Sequence, residues 1–215
     1  MPARLATDLS TKFQSGAVGD LVRAAKTVNR VRAEKASVFF PSMRDMSDWS
    51  LLVYSDAAHA NLNNGLSSMG AHIIFLIDSH GKACPLSWHA GKVKRVVRST
   101  LAAETLALSE GIENAFYLKG IFKAMLGTAL SDLPVRAIVD NKSLVEAAHS
   151  TKLVDDKRLR IDIGSIKECL DRNQLSSLTW CPGEAQIANC LTKRGASGIK
   201  LLTVLQSGKL DVPNF

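Results

Sequence analysis

Four positions carry the chemistry this sequence can offer. Asp56 follows Leu51, Leu52, Val53 and Tyr54, a short apolar, β-favouring run that suits a strand buried on both faces. Asp140 ends a second such run, residues 135–139. Glu104 lies three residues after Leu101 and four before Leu108, on the apolar stripe of a long helical pattern. Asn189 falls late in the chain, inside Ala188-Asn189-Cys190-Leu191-Thr192-Lys193. Asp56 alone reads as a turn cap. A carboxylate ending a buried strand or sitting on a core-facing stripe, however, is costly to desolvate unless a cation or several donors meet it. Two Asp and one Glu brought together repel one another and raise their pKa values unless divalent ions are bound. Magnesium fits such a set, being a hard ion that takes carboxylate and phosphate oxygens while keeping several waters. Two such ions about 3.5–4 Å apart can hold the attacking water and the departing oxygen of a phosphodiester in line.

The elements between these positions must bring them together. After Asp56 an Asn/Gly/Ser-rich connection, 61–68, leads to a strand at 69–77. The turn Asp78-Ser79-His80-Gly81-Lys82 then opens a strand at 83–88. Three consecutive strands with short loops form an antiparallel meander. A basic loop, 92–98, precedes a helix over 99–126 with Ser99 and Thr100 as N-cap candidates. Its buried stripe is expected at Leu101, Thr105, Leu108, Ile112, Ala115, Leu118 and Phe122, with Glu110 and Glu113 in solvent. A strand at 135–139, a short helix at 142–149, a charged stretch from Lys152 to Arg160, a helix reaching Asp171 and a strand at 175–181 follow. Pro182-Gly183-Glu184 turns the chain into a helix carrying residues 188–193, and the rest reads as a loosely packed helix with a frayed end. Before the first strand, Val18, Leu21, Val22, Ala25 and Val28 recur at helical spacing among Arg23, Lys26, Arg30, Arg32 and Lys35. That row reads as a solvated face, with Pro41 and residues 42–48 as a linker.

Composition bounds the function. The chain has 215 residues and 46% hydrophobic content, enough for one domain of ordinary size plus an appendage. The longest apolar run, 73–77, is far too short to span a bilayer, and no secretory leader is evident, so no membrane partner is expected. Cys84, Cys169, Cys181 and Cys190 form no C-x-x-C pair, which argues against a zinc ribbon or disulfide framework and favours a reducing compartment. A net charge of +7 permits a polyanionic partner without requiring one.

Tyr54-Ser55-Asp56-Ala57, Ser99-Thr100-Leu101-Ala102-Ala103-Glu104, Val139-Asp140-Asn141 and Ala188-Asn189-Cys190-Leu191-Thr192-Lys193 together resemble the ribonuclease H domain of Ty1/copia-type LTR retrotransposon reverse transcriptases. Pro85-Leu86-Ser87-Trp88 before the basic loop agrees as well. The resemblance implies an α/β ribonuclease H-like fold: a mixed five-stranded sheet, a three-strand meander plus two parallel strands, flanked by helices. It places the domain at 49–205, with a tail at 206–215 and a lead-in at 1–48 that resembles the end of a polymerase region. It implies cleavage of the RNA strand of RNA–DNA hybrids with two magnesium ions, manganese able to substitute. Asp56, Glu104 and Asp140 would be ligands, Asp56 bridging both ions. Partners would be the hybrid and the polymerase domain of the same polyprotein, in cytoplasmic virus-like particles.

Asn189 departs from that pattern, which has Asp there. The flanking match favours an inactivating Asp→Asn change that traps substrate; a natural amide in a decayed or tolerant element stays open. The family's loop histidine is also missing between Cys181 and Asn189, where Glu184 reads as a plain turn residue, its standing in for the histidine being the open alternative. The resemblance puts DNA phosphate and minor-groove contacts at Ser99 and Thr100, at a helix N-terminus whose free N–H groups suit an anion. Asn141 would reach the RNA strand, and Lys94, Arg95 and Arg98 would add salt-sensitive backbone contacts. His59 and His89 read as ordinary surface or edge residues. An integrase or transposase core uses a similar sheet, but its third acid comes late, on a helix after two Asp, whereas Glu104 precedes the second Asp here. A hybrid-binding or polymerase-supporting module that has lost catalysis at Asn189 is the non-enzymatic alternative.

Overall fold

The apolar runs fold into one mixed sheet. The computed structural model describes residues 2–10, 12, 16–33, 37–62, 65, 67–130, 132–151 and 154–212, without the side chains of 2–5. Lys35, Lys152, residues 63, 64 and 66 of the 61–68 connection, and 213–215 of the tail lie outside the described residues. Strands β1 (Ser50–Leu62), β2 (Ser67–Ile77) and β3 (Ala83–Lys92) form the antiparallel meander. β4 (Val135–Val139) runs parallel to β1, and β5 (Ser177–Trp180) parallel to β4. The order is β3-β2-β1-β4-β5, the mixed five-stranded architecture expected.

Alternate residues of β1 serve two cores, because successive side chains of a strand point to opposite faces. Leu51 and Val53 pack under helices α3 (Thr100–Leu126), α4 (Lys142–His149) and α5 (Lys157–Asp171), with Leu108, Ile112, Leu144, Leu159 and Ile163. Leu52 and Tyr54 pack on the other face with Phe75 of β2, with Ile187, with Leu191 of the turn α6 (Asn189–Thr192) and with Leu201 and Val204 of helix α7 (Ile199–Ser207).

Several expectations need correction. β1 does not stop at Asp56 but continues, because its antiparallel pairing with β2 persists through Ala58↔Met69 after its parallel pairing with β4 has ended at Tyr54↔Ile138. β3 likewise runs on to Lys92 against Met69. The helix expected over 188–193 is a single turn. The tail is not loose: Leu201, Val204 and Leu210 are buried, and Leu210 N–H donates to the Gly81 carbonyl at 2.8 Å. The second face of the sheet has to be covered, and α7 covers it.

Of the lead-in, α1 (Pro2–Ser10) meets β3 through Thr7 Oγ1, which donates to the Ala90 carbonyl at 3.1 Å. α2 (Val18–Ala33) buries none of its residues, in line with a solvated row. Lys82 Nζ donates to the Ser42 carbonyl at 2.7 Å, and Met43 and Met46 pack against the first core, so the expected linker is seated on the domain. No described helix is long and apolar enough to cross a membrane, and all four cysteines are free.

Candidate metal centre

The site lies where β1 and β4 part company. Tyr54↔Ile138 is their last paired position, and Asp56 and Asp140 each follow it by two residues, just past the carboxyl end of the parallel pairing. Open sheets of this kind hold ligands in such a crevice. Gln186 closes the gap behind it: its Nε2 donates to the carbonyls of Ser55 at 3.0 Å and Ile138 at 3.4 Å, and its Oε1 accepts from Ala188 N–H at 3.1 Å.

Glu104 arrives from α3 because that helix sits unusually close to the sheet. A Cβ at Gly111 would meet Val53 Cγ1 at 2.9 Å and His72 Cβ at 3.2 Å; one at Gly70 would meet Ala107 Cβ at 3.3 Å. Ala57, Ala103 and Ala107 form a small cluster of their own beside these glycines. Small side chains on both surfaces let the first turns of α3 approach β1 and β2. Ser99 fixes where the helix starts, its Oγ accepting from Ala102 N–H at 3.1 Å.

Asp56, Glu104 and Asp140 thus converge, each offering an oxygen within 4.8 Å of the others. Asp56 is fully buried and Glu104 is 3% exposed, while Asp140 opens to solvent. Burial, then the charges of Asp56 and Asp140, push the Glu104 carboxyl up to about 9. Burial also raises Asp56, with Asp140 adding to it, against the pull of Thr192 and Lys193.

Sequence reasoning did not assign roles to Gln186, Thr192 and Lys193, although the last two stand inside the quoted motif. Lys193 Nζ lies 3.1 Å from Asp56 Oδ1 and 3.3 Å from Asp140 Oδ2, and it donates to Asn189 Oδ1. Burial works against its charge, but Asp56 and Asp140 outweigh that and raise its pKa. Thr192 Oγ1 donates to Asp56 Oδ2. Asn189 stands on the rim, its Nδ2 donating to the Gly183 carbonyl at 2.6 Å. A basic residue four places after an acceptor-bearing one was the available signal.

The donor set fits a hard divalent cation. Three carboxylates meet in a largely buried pocket, Glu104 Oε2 has no hydrogen-bond partner, and an ammonium already sits among the acids where positive charge is wanted. Asp56, Glu104 and Asp140 are the residues able to hold such an ion.

The candidate nucleic-acid residues differ in how far they are engaged. Ser99, Thr100, Lys94, Arg95 and Arg98 are all exposed. Loop 92–98 walls an open cleft of about 550 Å³ with His59, Gly65 and Ser68. Arg95 is engaged, its guanidinium donating to Asp162 Oδ1 at 2.9 Å. Asn141 caps α4, its Oδ1 accepting from Leu144 N–H at 3.1 Å. His59 bonds to the Val97 carbonyl and His89 lies 3.9 Å from Glu110 at the β3 edge, the ordinary roles expected. Trp180 Nε1 donates to the Asp140 carbonyl at 3.1 Å, steadying the strand end.

No family model matches the chain, and no curated protein does. Among solved structures, the chain is similar to the foamy viral protease–reverse transcriptase in complex with RNA/DNA hybrid, at 10% identity over 89% of this chain and 27% of that one, TM-score 0.48. It is similar to LC11-RNase H1 in complex with RNA/DNA hybrid, at 18% identity over 64% of this chain and 88% of that one, TM-score 0.45. It is also similar to RNase H1 of the halophilic archaeon Halobacterium salinarum, at 15% identity over 66% and 94%, TM-score 0.43.

Proposed function

We propose that this chain cleaves the RNA strand of RNA–DNA hybrids by divalent-metal-dependent hydrolysis, as the ribonuclease H domain of a Ty1/copia-type retrotransposon reverse transcriptase. The observation that carries the reading is the convergence of Asp56, Glu104 and Asp140 from β1, α3 and β4, with a buried, unpartnered Glu104 oxygen among them. Magnesium, or manganese in its place, would supply Lewis-acid activation of water and of the phosphodiester. The protein's own residues do the rest. Asp56 is oriented by Thr192, Glu104 is held by the close seat of α3, and Asp140 is set by β4 and the Trp180 indole. Lys94 and Arg98 offer backbone charge contacts beside the cleft, and Thr100 and Ser99 an anion-binding helix start.

The partner on this reading is the hybrid, together with the polymerase region of the same polyprotein, in cytoplasmic particles. Asn189, whether introduced or inherited, lowers the negative charge of the site by one and impairs hydrolysis. A second reading, a hybrid-binding module without catalysis, is favoured by one observation: the Asn189 amide is bonded at both ends, to the Gly183 carbonyl and to Lys193. The deciding experiment is magnesium-dependent cleavage of a labelled hybrid by the unaltered chain and by Asn189→Asp. Cleavage that rises in Asn189→Asp supports the enzyme; tight hybrid binding without cleavage by either form supports the module.

A further inference from the structure

Resting on the metal-dependent reading above, we propose that the Lys193 ammonium is itself one of the two cations of this site. The unaltered chain then takes a single divalent ion, held by Asp56, Glu104 and Asp140.

Two halves of the pocket behave differently. On the side of residue 189, one nitrogen meets three acceptors: Asp56 Oδ1 at 3.1 Å, Asp140 Oδ2 at 3.3 Å, and the Asn189 amide oxygen. An ammonium has N–H donors and no acceptor, which suits this cluster of oxygens: it hydrogen-bonds Asp140 and Asn189 and pairs by charge with Asp56 Oδ1, which has no hydrogen-bond partner of its own. On the side of α3, Glu104 is 3% exposed and its Oε2 has no hydrogen-bond partner; among the described residues, no cation lies within ion-pair distance of it. That half lacks the positive charge the other half already has.

The amide at 189 agrees with this division. An amide oxygen accepts an N–H as well as a carboxylate does in geometry, but it adds no charge and is a poor ligand for a dication. Three carboxylates and one ammonium leave two negative charges, which one divalent ion balances. An Asp at 189 without the lysine would leave four negative charges, which call for two divalent ions. The resembled pattern carries this lysine beside an Asp, so the amide is what differs here: it receives the ammonium without adding charge, and the ammonium stands where a second metal would.

The test counts bound manganese by electron paramagnetic resonance after chelator treatment. It uses the intact chain and the double variant Asn189→Asp/Lys193→Met, counting only ions that Asp56→Asn abolishes. One ion on the unaltered chain and two on the double variant is the expected result. Two ions on the unaltered chain overturn the proposal, as does a single ion on the double variant, and both leave the metal-dependent reading standing. No manganese on either protein overturns that reading itself, and the role of Lys193 with it. Because the count on the unaltered chain is decisive alone, a double variant that fails to fold does not shelter the proposal.

Discussion

Glu104 makes the metal-free fold sensitive to alkali in a way a single substitution can expose. Unfolded, its carboxyl ionises at the ordinary 4.5; folded, burial and the neighbouring Asp56 and Asp140 push it up to about 9. Between those values the folded state holds a proton that the unfolded state has lost, so stability must fall as pH rises. One proton corresponds to ~1.4 kcal/mol per pH unit, so the metal-free chain should lose about that much between about pH 7 and about pH 8. The window is chosen to isolate this group. Buried His72, with its pKa lowered by burial, changes stability in the opposite sense, but only up to its ordinary 6.5. Cys181, pushed up from 9 to about 12 by burial first and then by Asp140 and Asp56, acts mainly above the window. Lys193, raised above its ordinary 10.5, stays charged throughout. Asp56 is raised too, so it acts with the same sign, and the raised thiols of Cys84, Cys169 and Cys190 start from 9 as Cys181 does. Urea denaturation in chelator at the two pH values reads the difference, and Glu104→Gln should remove most of it. Saturating magnesium should flatten it too, by holding Glu104 ionised. A pH-independent midpoint for the metal-free chain, or an unchanged slope in Glu104→Gln, would refute the reasoning.

Further outcomes follow from the packing and the charges. Gly111→Ala places a methyl 2.9 Å from Val53 Cγ1 and should cost about 1–3 kcal/mol in urea denaturation, while lifting Glu104 away from Asp56 and weakening manganese binding. Leu201→Ala, in the tail helix that covers the second core, should cost about 2–3 kcal/mol by the same assay; a negligible loss would return the tail to the loose role expected from sequence. Arg98→Ala should weaken hybrid binding and reduce the slope of log affinity against log salt by about 1, measured by fluorescence anisotropy. Arg95→Ala should reduce that slope less, because its guanidinium is already paired with Asp162; equal slopes would show that the pair opens for the hybrid.

How much was legible in the sequence depends on the range of the forces involved. Apolar runs stopping at Asp56 and Asp140, and the helical stripe that carries Glu104, are local patterns. They announced the strands, the long helix and three anomalous acids without any knowledge of contacts. Ser99 as the cap of α3 and the turn after Asp78 were equally local, since each satisfies backbone groups within a few residues. The length of β1 was not local: it is set by β2, a partner strand whose register continues past the point where β4 ends.

The sequence by itself determined which residues are chemically out of place and the period of the elements bearing them. Only the tertiary structure decided that Gly70 and Gly111 bring α3 close enough for Glu104 to reach the strand ends, that α7 seals the second core, and that Lys193 lies among the acids. The physical reason is that a buried charge advertises its cost wherever it stands in a sequence, whereas the group that offsets it is chosen by proximity in space. Asp56 and Lys193 are 137 positions apart in the chain and 3.1 Å apart in the fold.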